Sequence, residues 1–474
     1  MRDTVAKPGM GAAVTLLLAA ACIRHPERVH QQDLRHAAST LRFGAGSTAG
    51  SDEASSLPVF DGEPAGYVSH ALAHSPRLEA VYHRWRAEVG QVAVARKLPE
   101  PMVTYGYFVR SVETKMGPQR HRVGVSQTFP WPSRLTAGED AASARARALK
   151  QRFESEALAV REQVVVAYWR LWLDRHTTAI RREQVALLRS VAATSRARLV
   201  AGATSFADLQ RIDLSISRLV DQIDSAVADE RVHAAALLAA LGLLRSTSLP
   251  TRGDLPRLRH PTPSREQLAE MLGETPRLRR FDRLADAADA DARVQASQGY
   301  PSFRLGLDWI ETGRGSATGP DAGKDPVVVQ VGLSIPLWQG AYDRKEDAAR
   351  AMATSRRAEK AALHLDAHAE LEQVLSAIYD TARRATLREH TMLPQASAAL
   401  EALIGAYVIG ASGLGDILLA QRDLLDVRVE LARAHAGHAV AWARLERLVA
   451  RSVPGESAAT AKAAISDSAK RDTP

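Results

Sequence analysis

Four short stretches of this chain alternate apolar with small or polar residues, and each is set in sequence whose apolar spacing is helical. Phe303, Leu305, Leu307 and Trp309 fall on one face of a strand expected over about 302–311, with Ser302, Arg304, Gly306 and Asp308 on the other. A partner over about 326–336 sets Val327, Val329, Val331, Leu333 and Ile335 against Gln330, Gly332 and Ser334. The first half repeats this over about 102–111, with Val103, Tyr105, Tyr107 and Val109, and over about 121–129, with Val123, Val125 and Phe129. These are hairpins with one greasy and one wet face.

Long runs of good helix formers follow each hairpin, over about 134–200 and 205–244, then over about 342–408 and 414–449. Pro394 interrupts the third run and predicts a break or kink. Gly202-Ala203-Thr204-Ser205 and Gly410-Ala411-Ser412-Gly413 read as a glycine C-cap followed by a helix start, so each pair of runs is an antiparallel helical hairpin.

The chain is written twice. Ser75-Pro76-Arg77-Leu78 returns as Thr275-Pro276-Arg277-Leu278, and Val123-Gly124-Val125-Ser126 returns as Val331-Gly332-Leu333-Ser334. Gly202 with Asp208 and Leu209 returns as Gly410 with Asp416 and Ile417, in the same order. The expected organisation is a signal peptide over 1–21, a lipidated tether over 22–65, a first repeat over 66–250, a linker over 251–265, a second repeat over 266–450 and a disordered tail over 451–474.

Alternation alone also suits a soluble sheet. Two features favour a membrane barrel: Arg304, Asp308 and Gln330 sit where a packed core would want apolar groups, and the connection over about 312–325 is polar and Gly-rich. Four strands cannot close a barrel, and open sheet edges are not tolerated in lipid, so several chains must pool their strands.

The N-terminus points to export. Arg2 and Lys7 precede an apolar stretch from Met10 to Ala21, the length of a signal-peptide core and too short to span a bilayer. Cys22, the one cysteine in 474 residues, follows directly in LLLAAAC and excludes an intramolecular disulfide. The placement resembles a bacterial lipobox, with Ala19 where leucine is commonest, and makes Cys22 the expected lipidation site; the bland alternative is a thiol cut away with the signal. Alanine is abundant while aromatics make up only 5%, a bias towards long, closely packed helices. The net charge of +8 comes from Lys and Arg interleaved with Asp and Glu, the signature of solvated helix faces, and gives no expectation of nucleic-acid binding.

RLVAGATSFADLQ with its echo YVIGASGLGDILLAQ, the TPRL-type starts, and the joints SQTFPWPSRL and LSIPLWQG together resemble the TolC family of outer-membrane efflux proteins over about residues 66–450. The resemblance implies a mainly α fold with a transmembrane β-barrel portion: a homotrimer whose four strands per chain make a twelve-stranded barrel in outer-membrane lipid, continued by a helical barrel in the periplasm. It implies a passive conduit for small molecules or metal cations, working with a periplasmic adaptor (a membrane fusion protein) and an inner-membrane RND-type transporter. FPWPSRL is most similar to the joint of the heavy-metal cation branch. The barrel exterior would carry Phe303, Leu305, Leu307 and Trp309. Gly202, Asp208, Gly410 and Asp416 would form the periplasmic mouth and adaptor-docking tips, where some members carry a second acid three residues on and this chain has Arg211 and Leu419. The plainer reading of both aspartates is helix capping.

No HExxH, phosphate-binding loop or nucleophile elbow is present, so neither enzyme activity nor a cofactor is expected. His364 and His368 lie one turn apart without a visible third ligand and read, like His435 and His438, as a solvated helix face, so no metal is expected. The competing architecture is an exported helical-hairpin scaffold lipoprotein whose strands form an ordinary soluble sheet.

Overall fold

The computed structural model describes residues 27–40, 58–202, 204–244, 247–315 and 318–457. The expected signal peptide, Cys22 and most of the tail lie outside them. Chain order is α1 (Glu27–Thr40), α2 (Pro64–His74), α3 (Pro76–Ala95), β1 (Met102–Thr114), β2 (Gly117–Phe129), α4 (Pro132–Val200) and α5 (Phe206–Leu241). The second half continues with β3 (Arg259–Pro261), α6 (Arg265–Leu272), α7 (Pro276–Ser297), β4 (Phe303–Thr312), β5 (Val327–Leu333), α8 (Gln339–Leu387), a π turn (Arg388–Met392), α9 (Leu393–Val408), α10 (Leu414–Val449) and β6 (Gly455–Ser457). The fold is mainly α with a small β portion. Four helices open on proline (Pro64, Pro76, Pro132, Pro276), whose missing N–H costs nothing in a first turn.

The chain divides into two compact units. One gathers the segments up to Ala37, Trp85–Arg147 and Leu284–Thr354. Its centre is a four-stranded antiparallel sheet in the order β1-β2-β4-β5. Val123 pairs with Tyr105 on one side and Trp309 on the other, and Leu305 pairs with Gln127 and Val331. The central β2–β4 ladder therefore joins the hairpins of the two halves, and β1 and β5 are left as edges. Regular pairing of β1 stops at Tyr107 and resumes at Val112, so the alternation read through to Val109 is not matched by a continuous ladder. Small side chains let the helices of this unit approach closely, with Ala141, Ala144, Ala146, Ala287, Ala288 and Ala290 all buried.

The other unit gathers Ala38–Arg84, Ala148–Arg283 and Ser355–Pro474. One of its cores packs Tyr67, Tyr168 and Trp172 with Leu171, Leu237 and Leu241. The polar ends of those aromatics tie down the connecting segments: Tyr168 Oη donates to Gly62 O at 2.7 Å, Tyr67 Oη to Pro250 O at 2.7 Å, and Trp172 Nε1 to Arg252 O at 3.0 Å. A second core joins Val185, Leu188, Ile212, Leu400, Tyr407, Leu414 and Ile417, drawn from α4, α5, α9 and α10.

Two expectations need correction, and a third, the disturbance at Pro394, takes the form of a π turn. The stretch 22–65 is not a featureless tether, because α1 forms and buries Leu34 and Ala37, while its His30 Nε2 lies 2.9 Å from Ser143 Oγ. A helix whose buried positions include a histidine and an alanine carries too weak an apolar period to be read. The linker and the start of the tail pair with each other, Arg259 with Ser457 and Pro261 with Gly455. Three-residue strands offer no alternation to detect. The run expected over 342–408 is α8, the π turn and α9, because Pro394 has no N–H to give; Leu393 N–H bonds back to Arg388 O, five residues away, and the widened turn absorbs the proline.

Candidate functional site

Two places bear on function, one in each unit. In the first, the register puts Val103, Tyr105, Val123, Val125, Leu307 and Val329 on one face of the sheet. Phe303, Leu305, Leu307 and Trp309 share this face and are all exposed, Leu305 at 50%. Apolar side chains left bare across four adjacent strands form a patch that a monomeric soluble protein would not carry. Trp131 stands 5.6 Å from Tyr300 and 6.1 Å from Phe303, an aromatic cluster at the strand-to-helix joint.

The opposite face is polar. Thr104, Gly124 and Asp308 lie side by side on it, as do Thr128, Arg304 and Gly332. Asp308 is only 5% exposed and accepts a hydrogen bond of 2.7 Å from the Arg122 guanidinium. Arg304 points to Thr128 Oγ1 at 3.4 Å, and Ser302 N–H donates to Ser334 Oγ at 2.8 Å.

In the second unit the helical hairpins turn at Gly202 and Gly410, whose φ of +71° and +83° lie in the left-handed region that a side chain disfavours. Ser205 then caps α5: its Oγ accepts from Asp208 N–H at 3.1 Å and donates to Asp208 Oδ2 at 2.7 Å. Arg211 adds a contact of 3.4 Å to Asp208 Oδ1. The Ser205 hydroxyl, with smaller help from Thr204 and Arg211, holds the Asp208 carboxyl below its usual range. At the second tip Asp416 Oδ2 accepts from Gly413 N–H at 3.3 Å, and the residue is exposed. Leu209 and Ile417, each next to its aspartate, are buried.

The tips of the two halves are fastened together by residues that sequence reasoning missed. Ser195 Oγ and Tyr407 Oη, both buried, are 3.0 Å apart. The Arg198 guanidinium lies 4.6 Å over the Tyr407 ring and donates to Tyr407 O and, at 3.3 Å, to Val408 O, so the last turn of α4 caps the end of α9. Only the presence of Arg in one tip and Tyr in the other could have hinted at this.

The histidines divide. His364 and His368 stand ring to ring at 4.7 Å, and among the described residues no group of three metal-ligating side chains forms. His435 and His438 are not on a solvated face: they are 4% and 1% exposed. His435 Nδ1 donates to Pro256 O at 2.7 Å, and His438 Nε2 accepts from Arg259 N–H at 3.0 Å, so both pin the connecting segment between the halves to α10. Burial pushes the His438 imidazole down to about 4, so it is neutral near pH 7. Burial lowers His435 as well.

The sequence model of the family described as "Outer membrane efflux protein" matches residues 67–243 and 268–451, one match in each half. The outer membrane efflux protein BepC of Brucella suis biovar 1 is 22% identical over 359 residues, covering 74% of this chain and 76% of BepC. Among solved structures, CusC aligns with a TM-score of 0.69 at 16% identity, covering 83% of this chain and 95% of CusC. The outer membrane protein VceC of Vibrio cholerae aligns with a TM-score of 0.65 at 16% identity over 81% of this chain and 95% of VceC. The CmeC outer membrane channel of Campylobacter jejuni gives 0.67 at 13% identity, covering 84% of this chain and 88% of CmeC. A sheet bare on one face, a duplicated hairpin unit and a family match in each half lead to one conclusion: this chain belongs to the outer membrane efflux protein family.

Proposed function

We propose that three copies of this chain join their sheets edge to edge into a twelve-stranded barrel in the outer membrane, forming a passive conduit that exports small molecules or metal cations from the periplasm. The observation that carries this reading is the sheet itself. It has an exposed apolar face, a polar opposite face and two edges, β1 and β5, without a strand partner among the described residues. Lipid accepts such a sheet only when its edges are closed, and closure from four strands needs further copies. The conduit carries out no chemical reaction; a periplasmic adaptor and an inner-membrane RND-type transporter supply coupling and energy.

On this reading Phe303, Leu305, Leu307 and Trp309 face lipid, and the tips at Gly202 and Gly410 meet the adaptor at the periplasmic mouth. Asp416, with Asp208 beside the Ser205 cap, supplies the acidic charge there. Cys22 carries the acyl anchor, each buried CH₂ adding about 0.8 kcal/mol of membrane affinity.

The test is fractionation of the full-length chain after export, with labelled palmitate in the medium. The chain is expected in the outer-membrane fraction, at three times the chain mass in mild detergent, with label that Cys22→Ala loses. A chain that stays soluble and monomeric without detergent would instead be an exported scaffold.

A further inference from the structure

The polar face of the sheet hides its acid and shows its bases. Gly124 is paired with Asp308 on one side and Thr104 on the other, and a Cβ at Gly124 would overlap Asp308 Oδ1 and stand 2.7 Å from Thr104 Oγ1. The Asp308 side chain therefore lies across the bare backbone of its neighbour. From there its Oδ2 accepts the Arg122 guanidinium at 2.7 Å, with side-chain exposures of 8% for the acid and 44% for the base. Within the paired stretch the other charged side chain on this face is Arg304. It is exposed, its guanidinium donates to Thr128 Oγ1 at 3.4 Å, and no carboxylate among the described residues pairs with it. Each chain thus contributes two bases and one covered acid to the continuously paired stretch of this face, a net charge of +1 there.

We propose that this face is a positively charged lining that passes anions in preference to cations, and that Gly124 sets its sign by leaving room for Asp308 to lie beneath Arg122. The proposal rests on the conduit reading above, since only a pore wall filters ions. A surplus positive charge on a low-dielectric wall raises the local concentration of anions and lowers that of cations. Summed over three copies the charge of this stretch is trebled, in two tiers six residues apart along β2, one at Arg122 with Asp308 and one at Arg304 beside Thr128. Of the cargoes named above, this stretch of wall favours small anionic molecules, and metal when carried in an anionic complex, whatever the acidic mouth admits.

Reversal potentials of the purified full-length protein in a planar bilayer, under a KCl gradient, test this. In an Asp208→Asn/Asp416→Asn background, which removes the acidic charge of the mouth, the channel should reverse towards the chloride equilibrium potential, and the substitutions below are made in that background. Arg304→Gln should move it towards potassium with little structural cost, because the arginine is exposed and weakly bonded. Gly124→Ala should move it the same way, by pushing Asp308 off Arg122 and uncovering the acid. Asp308→Asn should move it further towards chloride. All shifts should shrink near 1 M salt, where screening acts within about 3 Å. Channels whose reversal potential is the same in that background alone and with Arg304→Gln or Asp308→Asn added would overturn the lining while leaving the conduit intact. Absence of any channel would overturn both.

Discussion

At Asp208 the carboxylate receives bonds from Ser205, Thr204 and Arg211, whereas among the described residues Asp416 is bonded to the Gly413 N–H alone and stands exposed. The repeat equates the two positions, but their surroundings do not. Asp208 is a cap whose charge is already partly answered, and the bonds to its carboxylate keep it ionised to lower pH than a free one. Its contribution to stability is accordingly full above the ordinary carboxylate pKa and lost as pH falls through the lowered one. On the proposed reading Asp416, exposed at its tip, is the acid that meets a passing ion. Asparagine keeps much of the capping ability and removes the charge. Block of the channel by multivalent cations should therefore weaken in Asp416→Asn and change less in Asp208→Asn; unchanged block in both and in the double variant would make the two aspartates caps only. The Gly-to-Asp spacing at the tips was legible because it is local. The Arg198–Tyr407 clamp was not, because its partners are brought together only by tertiary packing. His435 and His438 misled for a related reason: a polar residue on a helix looks solvated until the segment that covers it is known, and here the cover is the connection holding Pro256 and Arg259.

Elements with a strong period were readable and weak ones were not. Strands β4 and β5 declare themselves by alternation, and α10 by a continuous helical stripe that buries Leu414, Ile417, Leu424, Leu431 and Leu445. Helix α1 and the β3–β6 pair have no comparable period, and proline at 394 announces a disturbance without saying that a π turn will absorb it. The strand alternation also could not say what the apolar face meets, since water-soluble and lipid-facing sheets share the pattern. Leu305 is the position at which a measurement can decide between them, because it is half exposed between Gln127 and Val331 on the apolar face. Leu305→Arg should cost about 2–4 kcal/mol if that position lies near the middle of a bilayer, read as a lower unfolding midpoint in lipid or detergent. A loss of a few tenths of that would mean that the face meets water.

For the whole molecule, duplication explains how one chain supplies a sheet whose centre is the junction of its two halves: β2 from the first lies against β4 from the second. The repeat was plain in the sequence, and with it the four strands of the central sheet and the long helical runs, though not α1, the shorter helices α2, α3, α6 and α7 or the β3–β6 pair; the pairing of β2 with β4 was not legible either, because nothing local records which hairpin edges meet. That pairing leaves β1 and β5 as edges, and on them the proposed assembly depends. Membership of the outer membrane efflux protein family fixes the setting in which the edges must close. The most direct measurement of the conduit is single-channel recording from the purified, detergent-extracted protein in a planar lipid bilayer. The account predicts discrete, long-lived conductance steps of one size; a protein that is folded by its helical circular dichroism and inserts into the bilayer, yet gives no steps, would contradict it.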